Sequence, residues 1–379
     1  MYVSPWPGLT IGDVFGKSEI GKMPYPFDAT SRTAFHVARG GIFHLFRALA
    51  FRPKETVFAP DYHSGSEVAA IHAAGARTIL YPIARNFEID MDAFRCLFKR
   101  HTPRAVYVIH YLGWPQPIEE IARLCIENEC VLIEDCALAL LSCLGKRPLG
   151  SFGDYSVFCL YKTLPVPNGG MLVQNRHRMY NLLNLRLDPC PPAAVAGRCA
   201  ELALEALRSR FDLTGKALFS LKQSIGRRMR SAGVKHAPVG NLAWNINLVN
   251  LAMSPVSDRV IKGLDYSSIR EKRRANFEHL QQRIGDRVCM PRRDLPEGMC
   301  PLFFPVLVRD KRATAQALRR KGVEAVEFWS DRQKPAGISP DAMFLRDHVL
   351  ELPIHQGVNS SQIEFIADEV LRLNPEPPC

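Results

Sequence analysis

The chain reads as an α/β protein with a mostly parallel central sheet and a smaller C-terminal α+β lobe. Three observations carry that reading. From Phe35 to about Asn175, short apolar runs rich in β-branched residues alternate with stretches of helical periodicity, the pattern of a parallel sheet covered on both faces. From Tyr266 onward the order changes to a long charged helix, a strand, a helix, a second strand and a last helix. The composition, 47% apolar and 23% charged over 379 residues, is that of an ordinary folded chain and excludes disorder, collagen and coiled coil as the main state. At about 150 residues per domain, the length fits a two-lobed fold.

The elements follow in order. Residues 1–30 carry Pro5, Pro7, Gly8, Gly12, Gly16, Gly21, Pro24 and Pro26, too much punctuation for regular structure, and read as an arm. Residues 31–260 read as the large domain. Its strands are TVFAP, RTILYPI, AVYVIHY, CVLIED, YSVFCL and GMLVQN, and between the third and fourth Pro117 to Asn128 reads as a helix. There Ile118, Ile121, Ala122, Leu124 and Cys125 share one face, while Glu119, Glu120, Arg123 and Glu127 point away. Ligands of such a sheet sit at the carboxyl ends of its strands.

A basic insertion at about 185–250 interrupts this rhythm. Arg198 to Lys235 holds nine Lys or Arg against three Asp or Glu. Phe211, Leu218, Leu221, Ile225 and Met229 fall near helical spacing beside Lys222, Arg227, Arg228 and Arg230. That pattern suits a solvated helix packed on its own protein, with contact to an anionic membrane surface as the rival reading. Residues 261–379 read as the small domain: SSIREKRRANFEHLQQRI as a helix, PLFFPVLV as a strand, ATAQALRRKG as a helix closed by Gly322, VEAVEFW as a strand and SSQIEFIADEVLRL as a last helix.

The net charge of +11 suits an anionic partner such as a phosphorylated small molecule. No nucleic-acid motif accompanies it, so nucleic acid is not expected as a partner. Eleven cysteines without a C-x-x-C pair read as a reduced set and give no metal site. Asp13, Lys17 and Glu19 precede any apolar stretch of signal-peptide length, and nothing approaches the roughly 18 to 20 apolar residues of a membrane span. A cytoplasmic protein is the expectation.

The chemistry concentrates in IEDCALALLSCLGKRPLGSFGDYSVFCLYKTLPVPNGGMLV. CVLIED ends an apolar strand on two acids, and a carboxylate buried there needs a cation or donor beside it. Asp135 also reads as an N-cap for the ALALL run that follows. Lys162 stands 27 residues later, directly after an apolar strand. Together the two suggest a lysine that forms a Schiff base and an acid that keeps a heteroaromatic nitrogen protonated.

PDYHSGSEVAAIHAAGA, VIHYLG, IEDCALA, GSFGDYSVFCLYK, NGGMLV, NLAMSP and LELPIH occur in this order over roughly residues 30 to 370. In these segments the chain resembles the DegT/DnrJ/EryC1/StrS family of pyridoxal-phosphate-dependent sugar aminotransferases. The resemblance implies the fold type I transferase architecture, pyridoxal 5'-phosphate as cofactor, Lys162 as the catalytic Schiff-base lysine and Asp135 as the partner of the pyridine nitrogen. It further implies phosphate binding by the backbone at Arg39 and Gly40, with Gly41 sharing the task. His63, or the adjacent Tyr62, would stack on the ring, and Asn250 would reach the cofactor phosphate of a neighbouring subunit, which makes the active unit a homodimer.

The chain also departs from the family pattern. Leu138 stands where Gln or His is usual, and Cys159 stands where a phosphate-binding Ser is common. Phe158 to Lys162 is about two residues short, and Ala252 replaces an arginine. His110 and His355 match family positions but read equally as structural residues. Cys125, Cys130, Cys136, Glu127 and Glu134 read as packing rather than as metal ligands. The implied activity is transfer of an amino group, with glutamate as donor, to a keto-sugar carried on a nucleotide diphosphate. Two alternatives stand beside it: transamination of a non-sugar carbonyl compound, and a catalytically weak scaffold.

Overall fold

A computed structural model describes residues 1–16, 23–211, 244–329 and 337–378. In chain order the large lobe comprises α1 (Ile11–Phe15), β1 (Arg32–Phe35), α2 (Ala38–Leu49), β2 (Thr56–Pro60), α3 (Ser66–Ala73), β3 (Arg77–Tyr81), α4 (Met91–Arg100), β4 (Ala105–Ile109), α5 (Ile118–Glu127) and β5 (Val131–Asp135). It continues through a small hairpin of β6 (Cys143–Leu144) and β7 (Arg147–Pro148) to β8 (Tyr155–Cys159), β9 (Gly170–Gln174), α6 (Tyr180–Leu183), α7 (Pro192–Arg210) and α8 (Pro255–Gly263). The small lobe holds α9 (Tyr266–Ile284), β10 (Phe303–Leu307), α10 (Lys311–Lys321), α11 (Pro340–His348), β11 (Val349–Pro353) and α12 (Ser360–Leu373).

Seven strands form the central sheet in the order β1-β9-β8-β5-β4-β2-β3. The pairs β3/β2, β2/β4, β4/β5 and β5/β8 are parallel, whereas β8/β9 and β9/β1 are antiparallel. Every residue of β4, β8 and β9 is buried, which is why these strands appear in the sequence as continuous apolar runs. β5 lies at the centre with β4 and β8 as neighbours, so Asp135 at its end opposes Ile109 and Val157 in register. The carboxyl ends of the parallel strands converge at one edge, where a site is expected.

Three sequence expectations change. The arm is not wholly irregular: Thr10 Oγ accepts from the Asp13 amide at 3.2 Å and Asp13 Oδ2 accepts from the Thr10 amide at 2.8 Å, a capping box that closes α1. The ALALL run after Asp135 forms turns instead of a helix, because the Asp135 carboxylate caps only the Ala137 amide, at 2.8 Å. VEAVEFW is not a continuous strand, since Val323 bridges to Val3 of the arm and Val326 to Glu351 of β11, so the run divides between two partners. The helix expected over 211–230 lies almost wholly outside the described residues. Among those residues, no helix is long and apolar enough to cross a membrane.

The arm ties the lobes together. Val3 pairs beside Val323, Trp6 stands edge-on to Phe303 at 5.1 Å between ring centroids, and Tyr2 donates to Glu205 on α7 at 2.7 Å. In the small lobe β10 and β11 pair antiparallel, and Gly322, at φ +104°, closes α10 in the left-handed conformation that glycine adopts without strain.

Candidate active site

A cavity of about 480 Å³ lies at the carboxyl ends of β5 and β8, bounded by the arm, α2, α7 and the stretch Val326–Trp329. Asp135, Cys159, Lys162 and Arg39 all line it. Chain topology brings them together. Asp135 ends β5, Cys159 ends β8, and a 3-10 turn over Leu160–Lys162 swings the lysine back across the strand ends. The Lys162 Nζ stands 5.6 Å from the centroid of the Phe328 ring, which covers the site from the small-lobe side.

Asp135 is 2% exposed. Its Oδ2 accepts from the Tyr107 hydroxyl at 2.5 Å, and its Oδ1 accepts from the Ala137 amide. Burial, followed by the negative charge of Glu67, pushes its carboxyl up to about 6, against relief from Tyr107, Ala137 and Lys162. A carboxylate in that position is short of positive charge. Among the described residues no ion pair joins Asp135 to another side chain.

The start of α2 forms another wall. Val37, its N-cap, offers no side-chain hydrogen bond, so the first-turn amides lack a side-chain acceptor at the cap. Val37, Ala38 and Arg39 line the cavity. Gly40 and Gly41 are not among the lining residues, and both sit in close packing: an added Cβ on Gly40 would stand 2.8 Å from the Val249 carbonyl oxygen, and one on Gly41 3.3 Å from Leu172 Cβ. The glycine that matters to this wall is Gly170 on β9, where an added Cβ would overlap the Ala38 amide nitrogen and the Val37 carbonyl carbon. Burial pushes the Cys159 thiol up, with Lys162 the largest opposing influence.

His63 and Asn250 are placed elsewhere. His63 is 3% exposed and outside the cavity lining; its Nδ1 accepts from the Gly65 amide at 2.9 Å and its carbonyl from Arg346 at 2.6 Å. Tyr62 packs edge-on to Trp329 at 4.4 Å and is likewise absent from the lining. Ser64, Ser66 and Glu67 occupy that wall instead. Asn250 donates to Asp188 at 3.0 Å, away from the cavity. Leu138 is buried among apolar neighbours.

His110 and Glu134 form a buried structural pair. His110 Nε2 is 3.0 Å from Glu134 Oε2, while its Nδ1 accepts from the Gln116 amide at 3.0 Å. Glu134 also accepts from the amides of Gly150, Phe152 and Gly153 at 2.8, 2.7 and 2.6 Å, so the first acid of the ED pair holds the loop before β8. His110, Glu134 and Cys136 lie within 4.8 Å of one another, but the two ring nitrogens and both carboxylate oxygens are already engaged. His355 is structural too, its Nε2 3.0 Å from the Ser4 carbonyl oxygen.

Sequence reasoning missed Glu67, Tyr107, Tyr161 and Arg198. Tyr107 had a legible signal, since it lies two residues before the end of an apolar strand, on the same face as Ile109. Glu67 and Arg198 had none, being helix residues whose approach depends on how α3 and α7 pack.

Residues 33–187 match the model of the DegT/DnrJ/EryC1/StrS aminotransferase family. Among characterised proteins the chain is similar to GDP-perosamine synthase of Vibrio cholerae, 29% identical over 131 residues, 34% of this chain and 35% of that protein. It is also similar to dTDP-4-dehydro-2,3,6-trideoxy-D-glucose 4-aminotransferase of Saccharopolyspora spinosa, 29% identical over 180 residues, 42% of this chain and 46% of that one. The matches thus span less than half the length of these relatives. Among solved structures, Helicobacter pylori PseC, an aminotransferase of pseudoaminic acid biosynthesis, superposes with a TM-score of 0.64 over 98% of both chains at 16% identity. The PLP form of the putative sugar aminotransferase Spr1654 from Streptococcus pneumoniae does so with a TM-score of 0.67 over 99% of both chains at 14% identity. The fold is that of the pyridoxal-phosphate-dependent transferases of fold type I. The matched residues 33–187 carry the sheet, Asp135 and Lys162, so the likeness to the DegT/DnrJ/EryC1/StrS aminotransferase family covers the part of the chain that builds the cavity.

Proposed function

We propose that the protein is a pyridoxal-phosphate-dependent aminotransferase that transfers an amino group from glutamate to a keto-sugar carried on a nucleotide diphosphate. The observation that carries the reading is the convergence of Lys162, Asp135 and the uncapped start of α2 on one cavity. The residues fit the cofactor: a buried carboxylate short of positive charge for the ring nitrogen, a lysine for the aldehyde, and a helix start for the phosphate. Pyridoxal phosphate, when bound, supplies a protonated pyridine ring that draws electrons from the bond broken at the substrate carbon.

Asp135, braced by the Tyr107 hydroxyl and the Ala137 amide, would hold the pyridine nitrogen and favour its protonated form. Lys162 Nζ would hold the aldehyde end of the cofactor and, once displaced by the donor amine, would be the group placed to move a proton at the substrate carbon. Phe328 and Trp329 shield this exchange from water on the small-lobe side. The sugar half of the reading rests on the relatives, which are named as nucleotide-sugar enzymes. In the homodimer the reading implies, Asn250 belongs to the subunit contact.

Purified protein incubated with pyridoxal phosphate should develop a visible absorbance band that bleaches on adding glutamate, and Lys162→Ala should show neither band nor turnover. A fully active Lys162→Ala enzyme would sink the assignment. A second reading, a non-sugar acceptor, draws on Glu201, Glu205 and Glu327 in the cavity wall, carboxylates that repel a diphosphate. Amine transfer to keto-sugar nucleotides compared with other ketones and aldehydes separates the two.

A further inference from the structure

The segment that precedes the 212–243 stretch brings a cation into the cavity. α7 lays Arg198, Glu201, Leu202 and Glu205 along its wall. Its position is set from two sides: the Leu9 amide donates to the Leu202 carbonyl at 3.2 Å, and Gln362 Nε2 of α12 donates to the Ser209 carbonyl at 3.3 Å. Arg198 is therefore presented by an anchored helix and not by a loose surface turn.

The Arg198 side chain is 21% exposed and its Nη1 lies 3.0 Å from Glu201 Oε2. Its Nε is buried and meets no hydrogen-bond acceptor among the described residues. A buried donor without an acceptor is costly, the more so on a cation. The same cavity is lined by Arg39, 7% exposed, in the first turn of α2. Tyr161 lines the cavity with both arginines. Burial and then the Cys159 sulfur raise its hydroxyl, and Arg39 and Arg198 both oppose that rise. Two cations, a hydroxyl donor and a helix start thus line one cavity.

Cys159 sharpens the point, because a thiol is a weak donor to an oxyanion. A phosphate monoester carries about −1.5 to −2 charge at neutral pH and three acceptor oxygens. Arginine matches such a group in charge and in the fork of its donors.

We infer that Arg198 and Arg39 clamp the phosphate of a phosphate monoester in this cavity, with the Tyr161 hydroxyl as a third donor, and that this clamp does the work a hydroxyl at position 159 would share. The monoester is the cofactor's own phosphate if the proposed function holds, and the inference rests on that reading for this identity.

The test titrates full-length protein with pyridoxal phosphate and, separately, with phosphate-free pyridoxal, following visible absorbance and tryptophan fluorescence. Wild type should bind the phosphorylated aldehyde far more tightly than pyridoxal. Arg198→Met should weaken the phosphorylated aldehyde roughly ten- to a hundredfold and leave pyridoxal unchanged, while Arg198→Lys recovers part of the loss. Inorganic phosphate should compete in wild type and compete less in Arg198→Met. Equal weakening of both aldehydes, or of neither, overturns the clamp. Should wild type take up neither aldehyde, the cofactor reading fails by itself; calorimetric titration with inorganic phosphate then decides the clamp, which stands if binding needs Arg198 and falls if it does not.

Discussion

Asp135 shows how one side chain carries both a fold cost and a function. Its carboxyl is raised from an ordinary value of 3.8 to about 6, first by burial and then by Glu67. The native state therefore keeps the proton to higher pH than the unfolded chain, and stability falls as pH rises through that window. For cofactor-free protein this amounts to about 2 kcal/mol between pH 4 and pH 7. Urea unfolding of wild type and Asp135→Asn at both pH values should show the gap between them moving by that amount in favour of the variant at pH 7; a constant gap would contradict the raised carboxyl. The residue was legible in the sequence as an acid closing a buried strand. The helix-cap alternative was equally legible, and only the turn after Ala137 decides between them. His63 illustrates the opposite case: neighbouring positions on a loop alternate direction, so a ring at 63 turns into the protein while Ser64 meets the cavity.

At the scale of elements, the start of α2 and the end of β9 meet without room for a side chain. Gly170 is held there by the approach of Val37 and Ala38, not by an unusual backbone angle. Gly170→Ala should destabilise the protein by about 1–3 kcal/mol and weaken uptake of pyridoxal phosphate as α2 is pushed away, measured by chemical unfolding and by titration. Unchanged values for both would refute the close contact. The sequence marks GMLVQN as a strand that opens on Gly170, but nothing in it names α2 as the partner of that glycine. The strands themselves were legible because burial on both faces leaves unbroken apolar runs. The VEAVEFW run shared that signal and divided between two partners, since the arm competes for one of its ends.

For the whole molecule, the arm is the joint between lobes. His355 of the small lobe faces the Ser4 carbonyl oxygen through Nε2 and accepts from the Gly357 amide at 3.2 Å through Nδ1. Burial, with Arg273 adding to it, pushes the imidazole down to about 3. The unfolded chain takes up a proton below its ordinary value of 6.5, so this contribution is complete above that pH and is lost as pH falls toward 3. Wild type should be more stable than His355→Gln at pH 7.5, and the gap should narrow by about 2 kcal/mol at pH 5. An unchanged gap would show that the buried ring is not what makes the arm acid-sensitive.

The sequence by itself determined the alternation of strand and helix, the small α+β lobe, and the placing of Asp135 and Lys162 at the ends of buried strands. These depend on period, burial and order along the chain, all of which are local or cumulative properties of the residues. Tertiary structure alone decided what else meets that pair. Glu67, Tyr107, Tyr161 and Arg198 come from four separate segments, and Trp6 and Phe328 close the cavity from opposite ends of the chain. The direction in which a side chain points from a helix or loop is set by packing against distant segments, and no local pattern records that choice.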